Sequence, residues 1–251
     1  MTRTLIVLFA LAVLGMAGCA GNPAHEGVDL TKAAEANADL GLRYMQQGNY
    51  EVALQKLQKA IDFDRRYGPA YHYLAELYRR LERFDDADAN YRKALDYSGD
   101  DSNLYNNYGA FLCSHNRYEE GEKQFLKVLK NPVYPQQDQV YENLGLCVER
   151  KPNLERAEEY LRSALRYNPR LTKSLLAMGR ISFAKREYLS TRAYLQRYQE
   201  LARPTPESLW LGIRAERLLG DNNAVASYGM QLKANFPTAP ETKLYLESGA
   251  E

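Results

Sequence analysis

The chain of 251 residues lacks an excess of charge of either sign and has few of the residues on which catalytic and metal sites depend. Lys and Arg total 33 against 32 Asp and Glu, and there are three His, three Cys and one Trp. Nucleic-acid-binding surfaces normally show a basic excess, so this balance argues against nucleic acid as a partner. Tyr is abundant by contrast, at twenty against seven Phe. Its ring packs while its hydroxyl stays hydrated, which suits the half-buried positions of repeated helical surfaces.

Residues with catalytic or metal-binding chemistry do not form a recognisable constellation. His25, His72 and His115 have no metal-ligand spacing. Cys113 and His115 facing Cys147 hint at zinc or a nucleophile, but a zinc site needs four ligands and a nucleophile needs an orienting third group. The sequence therefore predicts a protein that is not an enzyme, with no cofactor, no metal and no small-molecule substrate. A hydrolase or metal protein is the rival class.

The longest apolar run covers only ten residues, 5–14, well short of the roughly 20 residues that span a bilayer. Arg3 before it and small residues after it are typical of a signal peptide. The segment Met16-Ala17-Gly18-Cys19 resembles the bacterial lipoprotein box, although Met16 stands where Leu is usual. An ordinary secretory leader with an incidental cysteine is the alternative.

This resemblance implies a processed and lipid-anchored protein. Residues 1–18 are the expected signal peptide, and Cys19 is the expected lipidation site and new N-terminus. Ala20 after the cysteine resembles an outer-membrane sorting signal. Residues 19–31 contain Gly, Asn and Pro without helical periodicity, so we expect a flexible tether there.

A repeat of small residues runs through the remainder of the chain. The first series is Gly41, Ala75, Gly109, Gly145 and Gly179, with steps of 34, 34, 36 and 34 residues. A second series lies twelve positions later: Ala53, Ala87, Gly121, Ala157 and Thr191. Small residues at fixed positions let paired helices approach closely. This pattern resembles the tetratricopeptide repeat (TPR), a helix-turn-helix unit of 34 residues.

The resemblance implies an all-α fold, a TPR superhelical solenoid of about six helix-turn-helix repeats over residues 32–251. The expected units are 34–67, 68–101, 102–135, 138–171, 172–205 and a degenerate 206–239. Residues 131–138 add two residues and two prolines between units three and four. Terminal repeats are often atypical because one face has no neighbour, and a cap is expected after residue 240.

Family geometry places the first helix of each unit on a concave face. The predicted partner-binding groove comprises Ala38, Leu42, Met45, His72, Glu76, Arg79, Arg80, Asn103 and Asn106. Farther along, Glu142, Arg150, Arg180 and Phe183 are predicted to face the same groove. An apolar end beside a charged middle suits an amphipathic helix or an extended segment. The alternative is that Leu42 and Met45 pack under residues 30–37.

Cys113 and Cys147 fall on the first helices of neighbouring units, which lie side by side in a TPR stack. Two states are possible for them. A disulfide is favoured by an oxidising periplasm but needs a Cα separation of about 4.4 to 6.8 Å. Two buried free thiols are the alternative.

A closer family resemblance is carried by three segments on this predicted lipoprotein. Asn107-Tyr-Gly-Ala-Phe-Leu-Cys113, Asn131-Pro-Val-Tyr-Pro135 and Tyr141-Glu-Asn-Leu-Gly-Leu-Cys147 resemble the pilotin family of type IV pilus biogenesis (PilF/PilW). The resemblance implies an outer-membrane lipoprotein facing the periplasm, which binds the pilus secretin and promotes its localisation and multimerisation. It makes Cys19 the lipid site and the concave face of the first units the secretin contact. Another periplasmic TPR adaptor, serving a peptidoglycan enzyme or a protease, is the alternative.

Overall fold

The computed structural model describes residues 29–150 and 154–249, where the chain is helical throughout and contains no strand. The predicted signal peptide, Cys19 and Ala20 lie outside the described residues. The helices within these ranges are α1 (Leu30–Gln46), α2 (Tyr50–Phe63), α3 (Gly68–Arg80), α4 (Phe84–Ser98), α5 (Ser102–Ser114), α6 (Tyr118–Val128), α7 (Gln137–Glu149), α8 (Leu154–Tyr167), α9 (Thr172–Ala184), α10 (Tyr188–Leu201), α11 (Pro206–Leu219), α12 (Asn222–Asn235) and α13 (Pro240–Glu247). The fold is the all-α TPR solenoid predicted from the repeat.

Helices α1 to α12 form six antiparallel pairs, one for each repeat unit, and α13 follows the last pair. Helix α1 begins earlier than expected, at Leu30 rather than after the predicted tether of residues 19–31. The reason is an N-cap, since the Asp29 carboxylate accepts a hydrogen bond from the Lys32 backbone N–H at 3.2 Å. The helical domain therefore includes residues 30 and 31.

Small residues of the repeat lie where the two helices of a unit cross. A Cβ atom added to Gly41 would lie 2.6 Å from Leu57 Cγ, and one added to Gly145 would lie 2.6 Å from Leu161 Cγ. Leu57 and Leu161 are fully buried. Glycine at the crossing thus lets a large side chain of the second helix pack directly against the first helix backbone.

In the five units whose inner turn is described, the fifteenth residue of the unit has a positive φ, in the left-handed region. Its φ is 77° at Gly48, 58° at Glu82, 61° at Asn116, 63° at Arg186 and 78° at Gly220. The corresponding turn of unit four lies outside the described residues. Three of these five positions hold a residue with a Cβ, for which a positive φ is unfavourable by about 1–2 kcal/mol.

The helices form two layers. Among the odd-numbered helices, α1 packs on α3, α5 on α7, α7 on α9, and α11 on both α9 and α13. These helices form the layer that lines the concave face in TPR solenoids. Helix α13 covers the last unit by burying Tyr245 against Leu209, Ile213 and Leu232. None of the described helices combines the length and apolar character needed to cross a membrane.

Candidate partner-binding groove

Three of the nine predicted groove residues are buried, so the prediction is wrong for them. Ala38, Met45 and His72 are 0%, 2% and 6% exposed. Ala38 and Met45 belong to the hydrophobic cluster that also holds Leu57 and Leu77. Because α3 packs directly on α1, the face of α1 that was expected to be open forms the contact between units one and two.

Leu42 lies beside this cluster and keeps partial exposure. The alternative interpretation, in which residues 30–37 cover Leu42 and Met45, is also wrong. Residues 30–37 form the first half of α1 itself and so cannot fold over its second half. The apolar end of the predicted groove is therefore reduced to one half-buried leucine.

His72 takes part in the contact between units two and three. Its ring Nε2 lies 3.1 Å from the Asn107 side-chain nitrogen. Burial lowers the pKa of His72, against the opposing charges of Glu76 and Asp101. The ring is therefore neutral at neutral pH and can accept a hydrogen bond from the Asn107 amide.

Similar polar contacts join the following inner helices. The Asn143 side-chain nitrogen donates to Asn106 Oδ1 at 3.5 Å. The Ser174 backbone N–H and hydroxyl both donate to Glu142 Oε1, at 3.0 and 2.9 Å. Like His72, Asn106 and Glu142 are the fifth residues of their units. The fifth position therefore faces the next inner helix, and a side chain there is only partly available to a partner.

The sequence interpretation missed Asn107 and Asn143, although a signal for them was present. Both are the sixth residue of their unit, and both belong to the segments that carry the family resemblance. The structure places them on adjacent inner helices, α5 and α7, on the groove side of the repeat.

Glu76, Arg79 and Arg80 stand at the edge of the groove on α3. Arg79 donates to the half-buried Glu76 at 2.9 Å, and the Tyr91 hydroxyl donates to the other Glu76 oxygen. Burial and the charge of Glu76 raise the pKa of Tyr91 well above its ordinary value, so this hydroxyl stays protonated. Arg79 and Arg80 remain exposed.

Asn103 lies at the opposite edge, where α5 begins. Its side-chain oxygen accepts a hydrogen bond at 3.1 Å from the hydroxyl of Tyr134, a buried residue of the inserted segment. The two-residue insertion between units three and four is thereby fixed to the start of α5. It leaves Val133 exposed.

The groove surface of units five and six is occupied by internal contacts. Arg180 donates to both oxygens of Glu149 at 2.7 Å and to Glu207 at 2.8 Å. The guanidinium carbon of Arg214 lies over the Phe183 ring, 4.2 Å from the ring centroid. Two depressions on the inner helices lie instead in units two to four.

A disulfide joins Cys113 of α5 to Cys147 of α7, with a Cα separation of 5.4 Å. It borders a cavity of about 250 Å³ between these helices, and a second depression of about 290 Å³ lies between α3 and α5. Both are lined by Ala110 and Ser114, so they form one continuous surface. We call this surface the central groove; its lining includes Glu76, Arg79, Asn107, Ala110, Ser114, Asn143, Leu146 and Arg150.

Comparison with known protein families finds the tetratricopeptide repeat in this chain. The family model matches residues 73–131 and 114–172, which span the central groove. A relative of full length is the type IV pilus assembly protein PilF of Pseudomonas aeruginosa. It is 34% identical over 255 residues, covering all of both chains.

Two solved structures resemble the whole helical part of the chain. The structure of Pseudomonas aeruginosa PilF has a TM-score of 0.78 at 33% identity, covering 88% of this chain and 99% of PilF. The crystal structure of PilW, a widely conserved type IV pilus biogenesis factor, has a TM-score of 0.75 at 29% identity, covering 85% of this chain and 98% of PilW.

Proposed function

Because the chain belongs to the PilF/PilW family of TPR proteins of type IV pilus biogenesis, we propose that it is the lipid-anchored adaptor that brings the secretin to the outer membrane and promotes its multimerisation. The observation that carries this proposal is the match to PilF, which extends over the full length of both chains. In this proposal the TPR scaffold has no catalytic role. It binds the secretin and delivers it to the membrane.

The central groove is the proposed contact with the secretin. It contains two adjoining depressions of the inner helices, and it carries amides, charges and apolar surface within three adjacent units. A segment of the partner lying across it would contact several helices at once, as peptides do in helical grooves. The first unit contributes less than its sequence predicted, since Ala38 and Met45 are buried there.

Cys19 is the proposed anchor. Each buried methylene of an acyl chain contributes about 0.8 kcal/mol, and more than one chain makes anchoring stable. Acylation at Cys19, followed by Ala20, would direct the protein to the periplasmic face of the outer membrane. A bound secretin subunit would travel with it and be concentrated there.

The proposal is tested by deleting the gene and following the secretin in separated membranes. We expect the secretin multimers to disappear from the outer-membrane fraction and to return when the intact gene is supplied. Unchanged abundance and location of the multimers would overturn the adaptor function for the secretin.

A Cys19→Ala variant separates binding from delivery. It should still capture the secretin in a pull-down, while the secretin accumulates outside the outer membrane. Capture of a peptidoglycan enzyme or protease in place of the secretin would instead favour the other periplasmic adaptor function.

A further inference from the structure

The cavity between α5 and α7 has the dimensions and walls of a pocket for one side chain. Its lining includes the fully buried Phe125, the Cys113–Cys147 disulfide and Leu146. The polar residues Ser114, Asn116 and Tyr118 also line it. Its volume of about 250 Å³ lies below the range of about 300–1,000 Å³ that is usual for small-molecule and cofactor sites. An apolar side chain of a polypeptide partner is an occupant of suitable size.

The pocket is open because Ala110 is small. Ala110 is the ninth residue of unit three, a position that faces the concave side in every unit. The other five units have a longer side chain there: Leu42, Glu76, Leu146, Arg180 and Arg214. With alanine, α5 projects nothing beyond Cβ, so the space between α5 and α7 remains free.

Two amides, Asn143 in the pocket and Asn107 in the adjoining depression between α3 and α5, match the backbone of an extended segment. Asn107 and Asn143 occupy the same position in consecutive units, and each makes one hydrogen bond through its nitrogen, to His72 and to Asn106. Their oxygens have no partner among the described residues. An amide has two donor hydrogens and an acceptor oxygen, and a peptide group offers the complementary acceptor and donor.

Arg150 supplies the charge at the mouth of the pocket. The groove arginines on either side are paired within the chain, Arg79 with Glu76 and Arg180 with Glu149. Arg150 is exposed and forms no ion pair within residues 29–150 and 154–249. A guanidinium can hold a carboxylate through two parallel hydrogen bonds. A carboxylate of the partner is therefore the group that best complements Arg150.

We infer that this pocket binds an apolar side chain of an extended partner segment, and that Arg150 binds a carboxylate next to that side chain. The inference rests on the proposed function in assuming that a partner segment crosses the central groove. The carboxylate is either an Asp or Glu side chain or the C-terminus of the partner.

The test uses three pools of fluorescent hexapeptides with the protein's full helical chain. One pool contains a fixed Phe-Asp pair and an amidated end, the second ends in Phe with a free carboxylate, and the third ends in amidated Phe without any acidic residue. Fluorescence polarisation should show binding of the first or second pool and at least about tenfold weaker binding of the third, as expected when a charged hydrogen bond is lost. Preference between the first two pools identifies the source of the carboxylate.

Two variants and two matched controls locate the binding. Ala110→Trp fills the pocket and should weaken the preferred pool at least about tenfold, whereas Ala193→Trp, on an exposed alanine of α10, should not. Arg150→Gln should abolish the preference for a carboxylate, and the exposed Arg186→Gln should retain it. Circular dichroism and melting verify that each variant is folded.

Secretin capture by the same variants keeps the two proposals distinguishable. If no pool binds, or if folded Ala110→Trp binds as well as the unmodified protein, the pocket assignment is overturned, while normal secretin capture leaves the adaptor function intact. If the peptides bind as expected but the secretin is not captured, the pocket assignment stands and the secretin proposal fails.

Discussion

Two neighbouring junctions of the solenoid occupy equivalent places and are held by different chemistry. Units two and three meet at an aromatic junction, where the Tyr91 ring stacks on Tyr108 with centroids 4.9 Å apart and touches Phe111 at 5.2 Å. Units three and four meet at a disulfide junction, formed by Cys113 and Cys147. The repeat thus constrains the small residues within each unit more strongly than the residues that join one unit to the next.

The aromatic junction also contains a charged carboxylate that the disulfide does not have. Asp88 of α4 accepts hydrogen bonds from Tyr108 at 2.7 Å and from Arg117 at 2.6 Å, both in unit three. Burial and the bond to Asp88 raise the pKa of Tyr108 to about 12. Protonation of the Asp88 carboxylate in acid should weaken the aromatic junction, whereas a reductant should weaken the disulfide junction.

The largest expected loss comes from removing the ring at the centre of the aromatic junction. Tyr91→Ala deletes a fully buried aromatic side chain and should lower the free energy of unfolding by about 3–5 kcal/mol, measured by urea denaturation. Tyr91→Phe keeps the ring and removes the hydroxyl bond to Glu76, so about 1–2 kcal/mol should be lost. Equal losses in the two variants would show that the hydroxyl, and not the stacked ring, holds the junction.

Removing the disulfide should lower the free energy of unfolding slightly less than Tyr91→Ala does. The two cysteines are 34 residues apart in sequence, and the chain-entropy model gives about 3–4 kcal/mol for a loop of that size. Cys113→Ala combined with Cys147→Ala should lower the free energy of unfolding by that amount. A reductant should lower the stability of the unmodified protein similarly and leave the double variant unchanged. If the reductant destabilised both proteins equally, the Cys113–Cys147 disulfide would not be the group on which it acts.

Asp88→Asn should show a smaller loss that depends on pH. Burial raises the pKa of Asp88, but the hydrogen bonds from Tyr108 and Arg117 outweigh it, so the folded-state pKa lies below its ordinary value. A lowered pKa stabilises the fold above the unfolded-state value near 4, and this contribution disappears as the pH falls through the folded-state pKa.

We therefore expect Asp88→Asn to cost about 1–2 kcal/mol at pH 7 and progressively less below pH 4, by urea denaturation at several pH values. Asp96→Asn, on an exposed residue of the same helix, should change stability little at any pH. A constant difference between Asp88→Asn and the unmodified protein from pH 7 to pH 3 would contradict the pairing of Asp88.

The smallest effects should come from the inner-helix contacts. Asn107→Ala removes the 3.1 Å contact of the buried His72 and should cost about 1 kcal/mol, because the ring is left unsatisfied. Asn106→Ala removes only the 3.5 Å contact with the half-buried Asn143 and should cost less than about 0.5 kcal/mol. Thermal melting compares them, and a reversed order would show that exposure does not decide the cost.

The interior of each unit could be predicted from sequence because it depends on residues of a single repeat. Gly41 and Gly145 have their packing partners, Leu57 and Leu161, sixteen residues farther along the chain. The groove could not be predicted in the same way. Whether Met45 is open or buried depends on how closely α3 lies against α1, and α3 belongs to the next unit.

The pairing of Cys113 and Cys147 shows the same limit at another junction. Sequence placed both residues on neighbouring first helices, but their separation depends on how α5 and α7 pack across the two-residue insertion that separates their units. The anchoring of that insertion by Tyr134 and Asn103 became visible only in the structure. Contacts between units follow from such shifts, which the repeat pattern does not encode.

The left-handed turn residues have a consequence for how the solenoid comes apart. Within the described residues, the first unit has a neighbouring repeat on one side only, and the last unit is followed by the single helix α13; their turns use Gly48 and Gly220, which take a positive φ without penalty. The internal turns at Glu82, Asn116 and Arg186 are strained, in units supported from both sides. The terminal units therefore have unstrained turns where packing against neighbouring units is least. This difference makes the local stability of the terminal units more similar to that of the internal units. Amide hydrogen exchange should accordingly show a single cooperative opening in place of repeats that fray from the tips inward.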